Sequence, residues 1–132
     1  SLMEKLLAAK EQIIICNSVI DEYLAERALE TKTKILSVSH KTLNENFKIV
    51  ENWIENHPNF EWVKPDAGAV AFIHIKKQID TKNFYETLLN THQTMLGPGH
   101  WFEQSDQFFR LGFGFPTAEE LMEGLRKVDE LV

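Results

Sequence analysis

The chain has 132 residues, 43% of them hydrophobic and 26% charged, with a formal net charge of −6. That length and balance fit one domain with a real core, and the acidic surplus argues against nucleic acid or an anionic membrane as the main partner. No apolar run approaches the roughly 20 residues of a bilayer span, and charges interrupt Leu2 to Ile15 in a way no signal peptide tolerates.

The single cysteine, Cys16, excludes an internal disulfide and fits a reducing compartment, so a cytoplasmic location is expected. Cys16 itself reads as a small buried hydrophobe. Ser1-Leu2 ahead of Met3 reads as an appended remnant rather than a natural start.

Met3 to about Ile15 begins with helical spacing and ends in the apolar run Ile13-Ile14-Ile15-Cys16. Asn17 and Ser18 can cap a helix over residues 19–30. A long helix follows from about Thr33 to Asn56, with an apolar stripe at Leu36, Leu43, Phe47, Val50 and Ile54. Such a helix is about 35 Å long, enough to act as a spine for a small domain. Asn56-His57-Pro58-Asn59 stops it.

Phe60 to Val63 is a short strand candidate, and Lys64 to Gly68 a turn. Ala69 to Ile75 is almost continuously apolar, as a central strand would be. Asp80 or Thr81 caps a helix through about Thr91, with Phe84 and Leu88 one turn apart. Thr94-Met95-Leu96 suggests a weak strand ended by Gly97-Pro98-Gly99, and His100-Trp101-Phe102 a loop or single turn. In the last helix Thr117 and Glu120 form a capping box, and Leu121, Leu125, Val128 and Val132 a buried stripe. The pattern is α+β: a small sheet covered by helices, with a long helix as its edge or spine.

The run from Gln107 to Phe115 carries the most information. Read with a period of two, one face is Phe109, Leu111, Phe113 and Phe115, fit for a core. The other is Phe108, Arg110, Gly112 and Gly114. Arginine beside two residues without side chains could present its two-pronged guanidinium to a planar anion. The alternative is an arginine on a solvated strand face, with the glycines serving a bulge. The pattern alone leaves both open.

Nothing else in the residues carries chemistry. The five histidines, His40, His57, His74, His92 and His100, lack metal-ligand spacing, and His74 reads as a hydrogen-bonded core histidine. Gly97-Pro98-Gly99 is not a phosphate loop. Glu103 and Asp106 read as solvated.

Three stretches then occur in order: Lys64-Pro65-Asp66-Ala67-Gly68-Ala69-Val70-Ala71-Phe72, Leu96-Gly97-Pro98-Gly99-His100-Trp101-Phe102, and Phe109-Arg110-Leu111-Gly112-Phe113-Gly114. They precede Thr117-Ala118-Glu119-Glu120-Leu121 and a closing helix. Together with the helical first half, this resembles the C-terminal part of class I/II aminotransferases, pyridoxal-phosphate enzymes of fold type I.

The resemblance implies that residues 1–30 are the terminal helices of a large domain, and residues 31–132 the C-terminal small domain. It implies that Arg110 binds the substrate α-carboxylate and that Pro98-Gly99-x-x-Phe102 shapes the small-domain side of the cleft. It also implies what lies elsewhere. The cofactor lysine, the aromatic residue over the cofactor ring, the aspartate at its nitrogen and the main phosphate ligands fall upstream in that family. Lys5, Lys10 and Lys64 match none of them.

The chain is therefore expected to hold no catalytic, cofactor-binding or metal-binding residue and to be inactive alone. The parent would use pyridoxal 5′-phosphate to move an amino group from an amino acid to a 2-oxo acid, as a homo-oligomer without nucleic-acid or membrane partners. A lyase, decarboxylase or synthase of the same fold, a non-enzymatic carboxylate-binding module and a regulator's effector domain are the other readings.

Overall fold

Three local devices in the sequence set most of the helices. In the computed structural model, which describes residues 1–14 and 16–132, Ser18, Asp80 and Thr117 each accept a hydrogen bond from the backbone N–H three residues on. They start α2 (Val19–Glu30), α4 (Thr81–Asn90) and α5 (Ala118–Asp129). At Thr117 the Glu120 carboxylate returns a bond from the Thr117 N–H, completing the expected capping box. Two further helices, α1 (Leu2–Glu11) and α3 (Lys32–Asn56), complete the set. The first helix ends short of the expected reach to Ile15, which lies outside the described residues.

The chain divides into two compact units, residues 1–38 and 39–132. The first contains α1, α2 and the opening turns of α3, and neither α1 nor α2 has a buried residue. Cys16 is exposed, not buried as its type suggests.

The second unit holds a four-stranded antiparallel sheet in the order β1-β2-β4-β3, with β1 at Phe60–Trp62, β2 at Val70–Ile75, β3 at Gly97–Pro98 and β4 at Phe108–Gly112. The apolar segment read as a central strand is indeed the inner β2. In register, Phe72 faces Arg110, Ile73 faces Phe109 and His74 faces Phe108. Alternation then sorts the faces. Ala71, Ile73, Ile75, Phe109 and Leu111 join Val50 and Ile54 of α3, Phe84 and Leu88 of α4, and Leu121, Leu125 and Val128 of α5 in one buried core. Phe72, His74, Phe108 and Arg110 take the other face, which these helices leave open.

Several expectations need correcting. His74 is half-buried on the open face, with Nδ1 2.7 Å from Glu61 Oε1, so it is not a core residue. Phe115 is 98% exposed. The β2–β4 ladder ends at the Val70–Gly112 pair and one last bond from Phe113 N–H to Ala69 O, so Phe115 lies past the paired stretch. Leu36 is exposed too, so the α3 stripe packs only from Leu43 onward.

The third strand is Gly97–Pro98, not residues 94–96, because Thr94 N–H is bonded to Leu88 O at the end of α4. Conversely, the stripe on α3 includes a residue the pattern passed over. Asn46, one turn before Val50, is buried, and its amide donates to the carbonyls of Phe113 and Pro116, both at 2.8 Å. That pair of bonds ties α3 to the segment following β4. No described helix is long and apolar enough to cross a membrane.

Candidate functional site

Arg110 lies midway along β4, an inner strand whose neighbours are β2 and β3. Its side chain is exposed on the open face, as strand alternation requires, since Phe109 and Leu111 on either side point into the core. Among the described residues no carboxylate comes within ion-pair distance of its guanidinium.

The guanidinium rests instead on an aromatic ring: Arg110 Cζ is 4.7 Å from the centre of Phe102. Phe102 meets Phe72 edge-on at 5.8 Å, Phe72 stacks on Phe108 at 5.5 Å, and Phe108 stacks on His74 at 4.4 Å. A row of π-systems thus runs across the sheet, ending in the His74–Glu61 pair. Trp62, Val63, Phe72, His74 and Phe108 line a groove of about 410 Å³ along this face.

The three glycines nearest Arg110 serve different ends. A Cβ on Gly112 would meet nothing within 4 Å, so the space beside Arg110 on its own strand is open. Gly97 stands opposite Arg110, and a Cβ there would lie 3.2 Å from Phe102 Cε2 and 3.4 Å from Arg110 Cβ. Gly114 does not belong to the floor of this site. Its missing side chain is taken up by packing, since a Cβ would fall 2.6 Å from Ala69 Cβ.

The turn that carries Phe102 is a short 3₁₀ segment, Gly99–Phe102. Asp106 closes it. One oxygen, Asp106 Oδ1, accepts from the His100 backbone N–H at 2.9 Å and sits 2.8 Å from His100 Nδ1. A carboxylate can only accept, so Nδ1 carries the proton in this pair. Partial burial opposes ionisation of Asp106, but the His100 N–H and ring outweigh it and hold the carboxyl below its usual range. Asp106 is therefore a structural acceptor, not the merely solvated acid expected.

Beneath it, the Tyr85 hydroxyl of α4 reaches the carbonyls of Phe108 at 2.9 Å and Asp106 at 3.1 Å. Burial pushes that phenol well above its ordinary value, so it stays a donor. Sequence reasoning placed Phe102 in a cleft-shaping loop and read Asp106 as solvated, and it missed that the ring lies against Arg110 and that Asp106 holds the turn. The spacing from Phe102 to Arg110 follows no helical or strand period, so only the fold brings them together.

The lysines sit in ordinary surface settings. Lys64 pairs with Glu51, and that hydrogen bond, working against slight desolvation, raises its ammonium above the usual value. Lys5 and Lys10 are exposed on α1.

No family model matches the chain. An uncharacterized aminotransferase of Saccharolobus solfataricus is 24% identical over 132 residues, covering 93% of this chain and 32% of that protein. The crystal structure of a PLP-dependent aminotransferase from Streptococcus suis superposes with a TM-score of 0.78 at 31% identity, over 92% of this chain and 32% of its own. An archaeal alanine:glyoxylate aminotransferase gives a TM-score of 0.80 at 28% identity, over 99% of this chain and 34% of its own. The chain thus spans about a third of the length of the relatives it matches. These likenesses bear out the resemblance to the C-terminal part of a fold type I aminotransferase, and the α+β unit built on the four-stranded sheet matches that family's small domain.

Proposed function

Starting from that kinship, we propose that this chain is the C-terminal part of a pyridoxal-phosphate-dependent aminotransferase in which Arg110 binds the substrate α-carboxylate. The longer protein moves an amino group from an amino acid to a 2-oxo acid. Residues 1–30 are the last helices of its large domain, and residues 31–132 its small domain. The observation that carries the reading is the setting of Arg110: exposed on an open sheet face, beside the open space over Gly112, with no described carboxylate to neutralise it. A guanidinium so placed can take a carboxylate through two parallel N–H···O bonds.

The cofactor, bound in the longer protein, supplies the electron sink for chemistry at the amino carbon. The residues of this chain do not fit it. Lys64 is held protonated by Glu51, and a protonated amine does not attack an aldehyde. This chain's share of the work is to anchor the carboxylate and, by closing over the cleft, to fix the substrate's orientation. Alone it is inactive, and the active form is a homo-oligomer.

Kinetics of the full-length enzyme test the reading. Arg110→Ala removes the partner of a buried charge and should cost about 2–5 kcal/mol of transition-state binding, or about 30- to several-thousand-fold in kcat/KM. Arg110→Lys should recover only part, because an ammonium keeps the charge and loses the fork. Near-normal kcat/KM in Arg110→Ala for every accepted amino donor would sink the assignment. On the isolated chain, pyridoxal phosphate followed by borohydride and peptide mapping should label no single lysine stoichiometrically. Such labelling at one site would show that the cofactor residue lies within these 132 residues after all.

A further inference from the structure

An arginine on a strand has a long side chain with many rotamers, and each must be given up before a planar anion can be gripped. What limits those rotamers at Arg110 is the ring beneath it. Phe102 lies under the guanidinium at 4.7 Å, and the ring itself is fixed from several sides. Phe72 meets it edge-on, with planes 80° apart. Gly97 clears the space between ring and Arg110 Cβ that any other residue would fill. The turn that delivers the ring begins at Gly99, where a Cβ would fall 1.9 Å from the Ser105 carbonyl oxygen, so no other residue fits. That turn is clasped by Asp106 through His100 N–H and Nδ1, and the Tyr85 hydroxyl reaches the Asp106 carbonyl from below.

We infer that Phe102 is a positioning residue for Arg110: its ring, seated by the Asp106–His100 clasp, presets the guanidinium for the carboxylate. The inference rests on the carboxylate role proposed above and adds to it the device that orients the anchor. The ring face is electron-rich and attracts the cation, which a saturated side chain of similar bulk does not. A preset anchor loses less freedom on binding, so the benefit falls on affinity. Trp101, adjacent in the chain, is exposed and meets the His100 ring edge-on at 6.2 Å.

In the full-length enzyme, Phe102→Leu should raise KM for the amino acid about three- to twenty-fold, the range of one cation–π contact, with kcat nearly unchanged. Phe102→Tyr should restore the wild-type value within about two-fold, since it keeps the π face. Asp106→Ala should move KM in the same direction by less. In an Arg110→Ala background, Phe102→Leu should add nothing.

An undiminished Phe102→Leu effect in that background overturns the inference, as does a Phe102→Leu enzyme with wild-type KM. A harmless Arg110→Ala instead overturns the carboxylate reading itself. One measurement is independent of whether variants fold: in the wild-type chain the ring should shift the Arg110 Hε resonance upfield of that of an unstructured arginine. An unshifted Arg110 Hε overturns the inference.

Discussion

The two units of this chain handle their apolar side chains in opposite ways. In residues 39–132, β2, β4, α3, α4 and α5 share one buried cluster, and the Arg110 face of the sheet is left open. In residues 1–38 the helices are held by caps and local hydrogen bonds, while Leu6, Leu7, Ile13, Val19, Ile20 and Leu24 are all exposed. Isolated helices of 10 and 12 residues are marginal in water whatever their caps. The second unit thus carries its own reason to fold, and the first needs an apolar surface from beyond itself.

Three measurements would break or sharpen this contrast. The largest effect should come from the core. Phe109→Ala empties a fully buried site between β2 and the helices and should cost about 3–5 kcal/mol in denaturant unfolding. A loss below about 1 kcal/mol would mean the core of the second unit is not what holds it.

Next is the polar tie. Asn46→Leu keeps the bulk but leaves the Phe113 and Pro116 carbonyls without their donor, and should cost about 1–3 kcal/mol. An unchanged midpoint would show that water replaces the amide there.

The smallest effect on stability belongs to the first unit. Ile20→Ser with Leu24→Ser should change the unfolding free energy by no more than about 0.5 kcal/mol. The same pair should nonetheless dissociate the dimers or larger species that an apolar patch of this kind favours. If the wild-type chain sediments as a clean monomer at high concentration, the patch is not driving association.

Much of the second unit was legible because its cues are local. The caps at Asp80 and Thr117, the stripe on α5 and the alternation around Arg110 each involve residues within a turn or two. What escaped depends on partners distant in sequence. Phe115 continues the alternation of β4 on paper, but the pleat needs a neighbouring strand, and β2 begins only at Val70. Asn46 is a polar residue whose burial makes sense only once two carbonyls some 70 residues away are brought to it. At the candidate site, Arg110 and its bare neighbour Gly112 could be read from spacing, whereas the ring of Phe102 beneath the guanidinium could not. The exposure of Cys16 shows the converse: residue type sets a tendency to be buried, and the first unit offers no core in which to satisfy it.

Gly112 offers a practical opening. Its missing side chain faces the same way as Arg110, two residues off along the strand, and a Cβ there would touch nothing within 4 Å. A thiol installed by Gly112→Cys, after Cys16→Ser removes the native one, would place an environment-sensitive dye beside the guanidinium. Emission from that dye would then follow the comings and goings of carboxylates in real time, with no turnover required.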